Sequence, residues 1–525
     1  MKNIKYPVLI LIILLMHLAV NYLVLSNSRI IRFCDEGGRI FAGRNYYNKI
    51  FNSWDSNGFN QLGAFLSLEN GQCHPHLYEL VEAVSFKVVE SLGFDQENVG
   101  LMLLIANGLF LLVLLWSIYG IGSILYDKSI GLSAALLTSV LPLAFGQSRN
   151  AMLDYPLLSL VSLSVYLLLK TKGFRVLLFC ILSGFTMGLA QLTKESALVY
   201  ILPPLLYYFY AYFKETKDRK VIFNFVVLLL TFMLVAGVVY FKPGNQHAFG
   251  IYLGKIFHIY QSFNPLYYFY SLKDVVGPII LVFSLPFLLS YLLHFNKREK
   301  LLFFWFFIPI ILLSISPNKS PRFILPLAGA FSLIVIQEIP RINLIKTIKN
   351  DILAILILLS VLQYLLFNNG FFEKYRKDAT FITGILSVYN DPFVADAEKL
   401  LDIINNDNED EEFRTHTKIL FLFFVPQFNF FFRGEGFNVS DILELDIIDS
   451  QVRNFDCNKA GEFILAKDYI ILDKEPEYKA FVHQQESALC LRKAFLKHKD
   501  DFKMLEELKL SDGHIVCVYK RIDSD

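Results

Sequence analysis

Apolar runs of nearly 20 residues recur along the first two thirds of this 525-residue chain, and they constrain its fold more than any other feature. A helix of about 20 apolar residues is long enough to cross the hydrocarbon core of a bilayer. The composition agrees, because 54% of the residues are hydrophobic and 50 of them are Phe. The chain is therefore predicted to be an α-helical polytopic membrane protein.

About eleven transmembrane helices are predicted from these runs. They cover residues 8–25, 99–125, 130–146, 151–169, 175–193, 196–213, 221–241, 274–295, 301–316, 321–338 and 351–368. The first run is interpreted as a retained helix, since no A-x-A-like cleavage site follows it.

Charge bias in the loops predicts the orientation. With the N-terminus in the cytoplasm, nearly every inside loop is rich in Lys and Arg, as in residues 170–175 and 296–300. This orientation places loop 26–98 and loop 242–272 on the extracytoplasmic side, and the odd number of spans places the tail there as well. The protein is expected in a plasma (inner) membrane.

Two domains are predicted, a transmembrane domain of residues 1–370 and a small extracytoplasmic α/β domain of residues 371–525. The tail contains strand-like runs at 418–425 and 469–472, and a hairpin signal around Ser511–Gly513.

An amphipathic helix is predicted at Pro75–Leu92, inside the first external loop. Its apolar positions follow helical spacing and include Leu80, Val84 and Val88. Two interpretations stay open, a helix lying flat in the membrane interface and a helix packed on the extracytoplasmic domain.

Several functions are disfavoured by the sequence. The net charge is +1, so no global field recruits nucleic acid. No P-loop motif is present, and no cofactor or metal site is predicted, because His74 and His76 are too few to hold a metal. Cys34 and Cys73 share the first loop, and either a disulfide or two free thiols fits the pattern.

Asp35 and Glu36 are the first candidates for chemistry. They lie in the polar loop that directly follows the first span, where a carboxylate at the membrane edge can act as a general base for an acceptor hydroxyl. A surface salt-bridge cluster with Arg32 and Arg39 is the alternative.

Charged residues also recur at the predicted outer ends of later spans. They are Arg149, Asp154, Lys194, Lys319 and Arg322. Basic groups converging from separate helix ends suit an anion such as a phosphodiester. The alternatives are basic side chains that reach lipid headgroups and a buried Arg–Asp pair that joins two helices.

Five short segments resemble the protein O-mannosyltransferase and aminoarabinose transferase type of membrane glycosyltransferase, which has a GT-C fold. The similarity runs over about residues 1–340, and the segments occur in the family's order. They are Asp35–Glu36, His74–Tyr78, Arg149–Pro156, Gly188–Glu195 and Lys319–Pro326.

The resemblance implies transfer of a sugar from a polyprenyl-phosphate carrier to a protein, lipid or glycan acceptor on the extracytoplasmic side. A direct displacement at the anomeric carbon with one base would invert the configuration. By position, Asp35 is the base and Glu36 shapes its site. Lys194, Lys319 and Arg322 are candidates for gripping the carrier phosphate. The remaining substrate-binding candidates are His74, His76, Arg149 and Asp154.

Two alternatives belong to other classes. A secondary transporter or flippase for a lipid-linked sugar would more often show related halves, with charged or broken helices near the midplane. A catalytically inactive scaffold is compatible with the same sequence.

Overall fold

The computed structural model describes most of the helical part of the chain and portions of its C-terminal part. The described residues are 5–25, 34–52, 77–94, 98–240, 266–294, 299–315, 319–341, 358, 399–404, 406–407, 418–421, 438–441, 447–448, 451–452, 460–473, 482–509 and 515–522. Contacts divide the chain into two compact units. One comprises Met1–Ser28, Arg39–Leu68 and Gln72–Ser387, and the other comprises Arg29–Gly38, Glu69–Gly71 and Val388–Asp525.

The secondary-structure elements described as far as Arg341 are all helices. They are α1 (Lys5–Leu25), α2 (Cys34–Tyr47), α3 (Leu77–Ser91), α4 (Val99–Leu125), α5 (Lys128–Val140), α6 (Pro142–Gln147), α7 (Asp154–Lys170), α8 (Leu177–Thr193), α9 (Ala197–Thr216), α10 (Arg219–Tyr240), α11 (Tyr267–Val276), α12 (Pro278–His294), α13 (Lys300–Ile315) and α14 (Ala328–Glu338). A π-helix, Asn48–Asn52, follows α2, and 3₁₀ helices, Pro321–Leu327 and Ile339–Arg341, flank α14.

The predicted apolar runs before residue 340 each coincide with a helix or with two consecutive helices. Run 130–146 corresponds to α5 and α6, and run 321–338 to a 3₁₀ turn and α14. The last run, 351–368, lies outside the described residues except for Leu358.

Four helical stretches among the described residues are long and apolar enough to cross a bilayer. They are Lys5–Leu23, Val99–Leu125, Arg219–Val238 and Pro321–Arg341. Helices α11 and α12 make a fifth if they form one span, bent by 116°. Gly277 at this bend has φ of 87°, which suits a glycine. Three further apolar helices are shorter, so the count of eleven spans stays a prediction.

Helices α8 and α10 approach closely through two glycines one turn apart. A Cβ atom on Gly184 would overlap the Leu228 carbonyl oxygen, and one on Gly188 would lie 2.6 Å from Val235 Cβ. Small residues at this spacing let two helix backbones pack together where lipid removes the hydrophobic drive for association. On its other faces α10 exposes apolar side chains, including Leu230 and Leu234.

Helix α3 points its predicted apolar stripe away from the protein. Val84, Val88 and Leu92 are exposed, whereas Glu79 and Glu82 are buried beside α2 and α4. An exposed apolar stripe needs a nonaqueous neighbour, and this orientation favours the membrane-interface interpretation.

Helix α2 occupies residues that the sequence analysis treated as polar loop. Its buried positions include Ile40 and Tyr47, seven residues apart and therefore on one face. Gly43 lies between them, where a Cβ atom would meet the Glu82 side chain at 2.7 Å. Packing against α3, rather than apolar content, thus determines this helix.

The C-terminal unit contains a five-stranded mixed sheet. Its strands are β1 (Lys418–Phe421), β2 (Asn438–Asp441), β5 (Tyr469–Asp473), β6 (Phe502–Lys509) and β7 (Ile515–Arg521), in the order β2-β1-β5-β7-β6. Strands β2, β1 and β5 are parallel, while β7 is antiparallel to β5 and β6. Strands β3 (Ile447–Ile448) and β4 (Gln451–Val452) form a separate pair.

Two helices pack on this sheet, α15 (Ala460–Leu465) and α16 (Val482–Lys497). Phe495 of α16 contacts Phe502 and Tyr519 in the core. Cys490 forms a disulfide, and the thiol of Cys517 is buried.

Candidate active site

Three helix ends meet at one end of the helical unit. Helix α7 begins at Asp154, and its neighbour α8 ends at Thr193 after a short turn has reversed the chain. The start of α7 and the end of α8 therefore lie side by side. The 3₁₀ segment Pro321–Leu327 packs against α7 and contributes the third end.

Asp154 joins these ends through two ion pairs. Its Oδ1 accepts a hydrogen bond from Lys194 Nζ at 2.6 Å, and its Oδ2 lies 3.8 Å from Arg322 Nε. The side chains of Asp154, Lys194 and Arg322 are 2%, 10% and 22% exposed, respectively. Because a buried carboxylate is costly unless it is paired, this arrangement locks the three ends together. We call these three residues the basic cluster.

Local structure places both cations. Lys194 caps the C-terminus of α8 in extended backbone, which turns its side chain out of the helical path. Arg322 lies in the first turn of the 3₁₀ segment, after Pro321 ends the preceding extended backbone.

An aromatic side chain lies beside both cations. Lys194 Nζ is 4.7 Å from the ring centroid of Phe323, and Arg322 Cζ is 5.8 Å from it. The backbone here is held from two sides, because Tyr200 OH donates to the Phe323 carbonyl and Ser320 N–H donates to Tyr268 OH at 3.4 Å. The ring thus stabilises positive charge at a fixed position.

Lys319 lies on the same segment but has a different partner. Its Nζ donates to the Ser314 carbonyl at 3.0 Å. Desolvation lowers the pKa of the Lys319 ammonium below its ordinary value of 10.5.

Arg149 is 1% exposed and lies in a polar layer near α1. Its guanidinium carbon is 4.9 Å from the Phe145 ring centroid. In the same layer His17 contacts Ser139 Oγ at 3.1 Å, and Asn21 donates to Ser148 Oγ at 3.0 Å.

Arg39, which the sequence analysis considered only as a surface partner of Asp35 and Glu36, has a buried partner instead. It pairs with Glu79 at 2.8 Å, with side chains 13% and 3% exposed, and so ties α2 to α3. It also interacts electrostatically with Asp154 and Lys194. A helical interpretation of residues 34–47 would have indicated it, since position 39 follows Asp35 by one helical turn.

The remaining sequence candidates are described only in part. Asp35 and Glu36 lie in the first turn of α2, in the segment grouped with the second compact unit, and their side chains lie outside the described part. His74, His76 and Cys73 lie outside the described residues. Over the described ranges, no three His, Cys, Asp or Glu side chains are grouped so as to hold a metal ion.

A second buried ionic cluster at the other end of α14 was not anticipated. Arg341 pairs with Glu299 and, at 2.8 Å, with Glu338, while Ser290 Oγ donates to Glu338 at 2.6 Å. Both carboxylates are fully buried. The sequence analysis had counted this region only as positively charged inside loops.

Part of the sequence matches a known family model. Residues 75–241 match the family model described as Dolichyl-phosphate-mannose-protein mannosyltransferase. No curated protein matches the sequence.

Solved structures match over nearly the whole chain. ArnT from Cupriavidus metallidurans in the apo state has a TM-score of 0.57 and 14% sequence identity, covering 99% of this chain and 98% of that one. The same protein bound to undecaprenyl phosphate gives 0.54 and 13%, with 97% of each chain covered. The apo oligosaccharyltransferase of Archaeoglobus fulgidus gives 0.50 and 11%, with 94% of this chain and 73% of that one.

The resemblance inferred from the sequence is thereby confirmed: the chain has the fold of the GT-C membrane glycosyltransferases, and its residues 75–241 match the mannosyltransferase family model.

Proposed function

We propose that this protein is an inverting glycosyltransferase that moves a sugar from a polyprenyl-phosphate carrier to an acceptor. The observation that carries the proposal is the basic cluster, in which two cations from separate helix ends share a single buried carboxylate, Asp154. A site of this kind can receive further negative charge, and a phosphodiester supplies it.

The proposed reaction is a single displacement at the anomeric carbon. The acceptor oxygen attacks and loses its proton to Asp35, while the bond between the anomeric carbon and the phosphate oxygen breaks. The polyprenyl phosphate leaves with the bonding electrons. One displacement inverts the configuration, and charge stabilisation of the leaving phosphate matters more than its protonation.

In this proposal, the basic side chains have different roles in binding the carrier phosphate. Arg322 is the most exposed member of the basic cluster, and its Nε is only loosely placed on Asp154 at 3.8 Å. Its guanidinium is the group proposed to contact the carrier phosphate. Lys194 stays on Asp154 and supplies fixed positive charge, and Lys319 approaches from the same segment. His74, His76 and Arg149 remain proposed contacts, and Glu36 shapes the acceptor side.

The carrier class has support from a structural neighbour. ArnT from Cupriavidus metallidurans, which shares the fold, was solved bound to undecaprenyl phosphate. A lipid-linked donor also suits a protein whose outward faces are apolar along several helices. The acceptor class stays open between protein, lipid and glycan.

The extracytoplasmic placement of transfer is part of the proposal. The positive-inside bias of the loops supports it, and so does the disulfide at Cys490, since disulfides persist in oxidising compartments.

A transfer assay with Asp35→Asn tests the proposal. The variant removes the base at nearly constant shape, so transfer from a polyprenyl-phosphate sugar should fall about 10²- to 10⁴-fold at unchanged expression. Glu36→Gln is the matched control, and we expect it to lose less activity. Wild-type turnover by the Asp35→Asn variant would overturn the assignment of the base, and movement of the lipid-linked sugar across the bilayer without transfer would favour a flippase.

A further inference from the structure

Two hydrogen bonds join α3, α4 and the turn that precedes Asp154 of the basic cluster. Tyr78 OH on α3 donates to Asn107 Oδ1 on α4 at 3.0 Å, and Asn107 Nδ2 donates to the Asn150 carbonyl at 3.1 Å. The three residues are buried, with 0%, 2% and 1% of their surface exposed.

Asn107 is unusual for its position. It lies within α4, the longest and one of the most apolar of the candidate spans, where an amide is costly unless its polar atoms are satisfied. Both ends of its amide group make contacts, one as acceptor and one as donor. It therefore joins two elements that are far apart in the chain.

The hydrogen-bond chain connects to the basic cluster through the turn before α7. Asn150 belongs to the buried turn before α7, and the helix begins four residues later at Asp154. At the other end, Tyr78 lies on α3 directly before Glu79, which pairs with Arg39 of α2 at 2.8 Å.

We propose that Asn107 is a positioning residue for the phosphate site, because it holds the turn before Asp154 in register with α3. This inference rests on the proposed function. Removing the amide would let the turn and α3 shift independently, and the Asp154–Lys194 pair would lose its fixed position. The effect belongs to binding of the carrier phosphate and not to the acceptor step.

The test measures the binding of undecaprenyl phosphate to the full-length purified protein in lipid nanodiscs. Asn107→Leu removes both contacts at similar volume, and Tyr78→Phe removes one hydroxyl. Each should weaken binding about three- to tenfold, which is the scale of one or two buried neutral hydrogen bonds. The double variant should bind undecaprenyl phosphate about as tightly as the single variant with the lower affinity. The reason is that both substitutions break the same chain of hydrogen bonds.

Ser117→Ala is the matched control. Ser117 is equally buried on α4, but its hydroxyl donates only within the helix, to the Val113 carbonyl at 2.6 Å. We expect its carrier affinity to stay within about twofold of wild type. With a transferable donor, Asn107→Leu should raise the donor KM and leave kcat at saturating donor unchanged.

The outcomes separate this inference from the proposed function. Lys194→Met is measured beside these variants. Unchanged carrier binding in all of them would contradict the proposed phosphate site. If Lys194→Met weakens binding but Asn107→Leu and Tyr78→Phe only lower the thermal stability, the positioning role is overturned and the phosphate site stands. Should Asn107→Leu fail to fold, Tyr78→Phe decides the matter alone.

Discussion

Asp154 illustrates how the surroundings of one residue determine its role. It is 2% exposed, and a lone carboxylate there would be neutral or would unfold the helix ends around it. With Lys194 at 2.6 Å and Arg322 at 3.8 Å, Asp154 holds three helix ends together. It also positions the two cations of the proposed phosphate site.

Asp154→Asn should therefore destabilise the protein. It leaves Lys194 buried with no anion beside it, and breaking a buried pair from one side costs about 3–5 kcal/mol of unfolding free energy. Thermal unfolding of the purified protein should occur several degrees lower than in wild type. Adding Lys194→Met to this variant should restore part of the loss, because the orphaned charge is removed.

Glu90→Gln is the control for this comparison. It breaks the Lys87–Glu90 pair, whose side chains are 42% and 32% exposed and whose charges are therefore screened. An equal loss of thermal stability in Asp154→Asn and Glu90→Gln would contradict the structural role of the basic cluster.

Arg322→Met should act on the donor. A charge-assisted contact to phosphate contributes about 1.5–3 kcal/mol, so the donor KM should rise roughly ten- to hundredfold while the acceptor KM moves little. Lys319→Met should show the same pattern if its ammonium reaches the phosphate.

Lys214→Met is the matched control. Lys214 is an exposed cation in the last turn of α9, at the end of that helix away from Lys194. Altered stability of Arg322→Met with unchanged kinetics per folded molecule would mean that Arg322 only anchors a helix end. Both KM and kcat have to be measured, because binding energy expressed only in the transition state lowers kcat instead.

At the scale of elements, the contact between α8 and α10 depends on the absence of side chains. Gly184 meets the Leu228 carbonyl, and backbone cannot rotate away as a side chain can. Since α8 also ends at Lys194, a displaced α8 would carry one cation of the proposed site with it.

Gly184→Leu should consequently lower both thermal stability and donor affinity. The expected cost of overpacking is about 1–3 kcal/mol or more. Phe185→Leu, one residue along and 44% exposed, serves as the control and should change little. Wild-type stability in Gly184→Leu would show that the two helices have room to separate.

Helix α3 makes a related point about elements. Periodicity identified its apolar stripe, but periodicity alone does not say which face meets protein. The acidic residues Glu79 and Glu82 turn inward, because Arg39 on α2 supplies a buried partner for the first of them. The apolar stripe is left facing outward, where lipid is its proposed neighbour.

For the whole molecule, the charge bias of the loops predicts the membrane orientation. Single cysteines at exposed positions test it with a membrane-impermeant thiol reagent in intact cells. Ser91→Cys in the first external loop and Lys503→Cys in the tail should be labelled, whereas Lys172→Cys in a predicted inside loop should react only after permeabilisation. Protection of Ser91→Cys or Lys503→Cys would mean that the spans are miscounted.

The sequence by itself determined the class of fold and most of the helical segments. Hydropathy over about 20 residues is a local property, and each predicted run before residue 340 is indeed helical. The strand at Tyr469–Asp473 and the strand Ile515–Arg521 after the predicted hairpin turn also follow local patterns. The resemblance to the GT-C glycosyltransferases came from short motifs in order, and the fold comparison agrees with it.

Tertiary structure decided which charges meet. Asp154 and Lys194 are 40 residues apart, and Arg322 lies far beyond both, so no periodicity pairs them. The same holds for Arg39 with Glu79 and for the hydrogen bonds of Asn107. The sequence alone indicates only which polar and charged groups need partners in a low dielectric. The packing of the helix ends determines which partners they have.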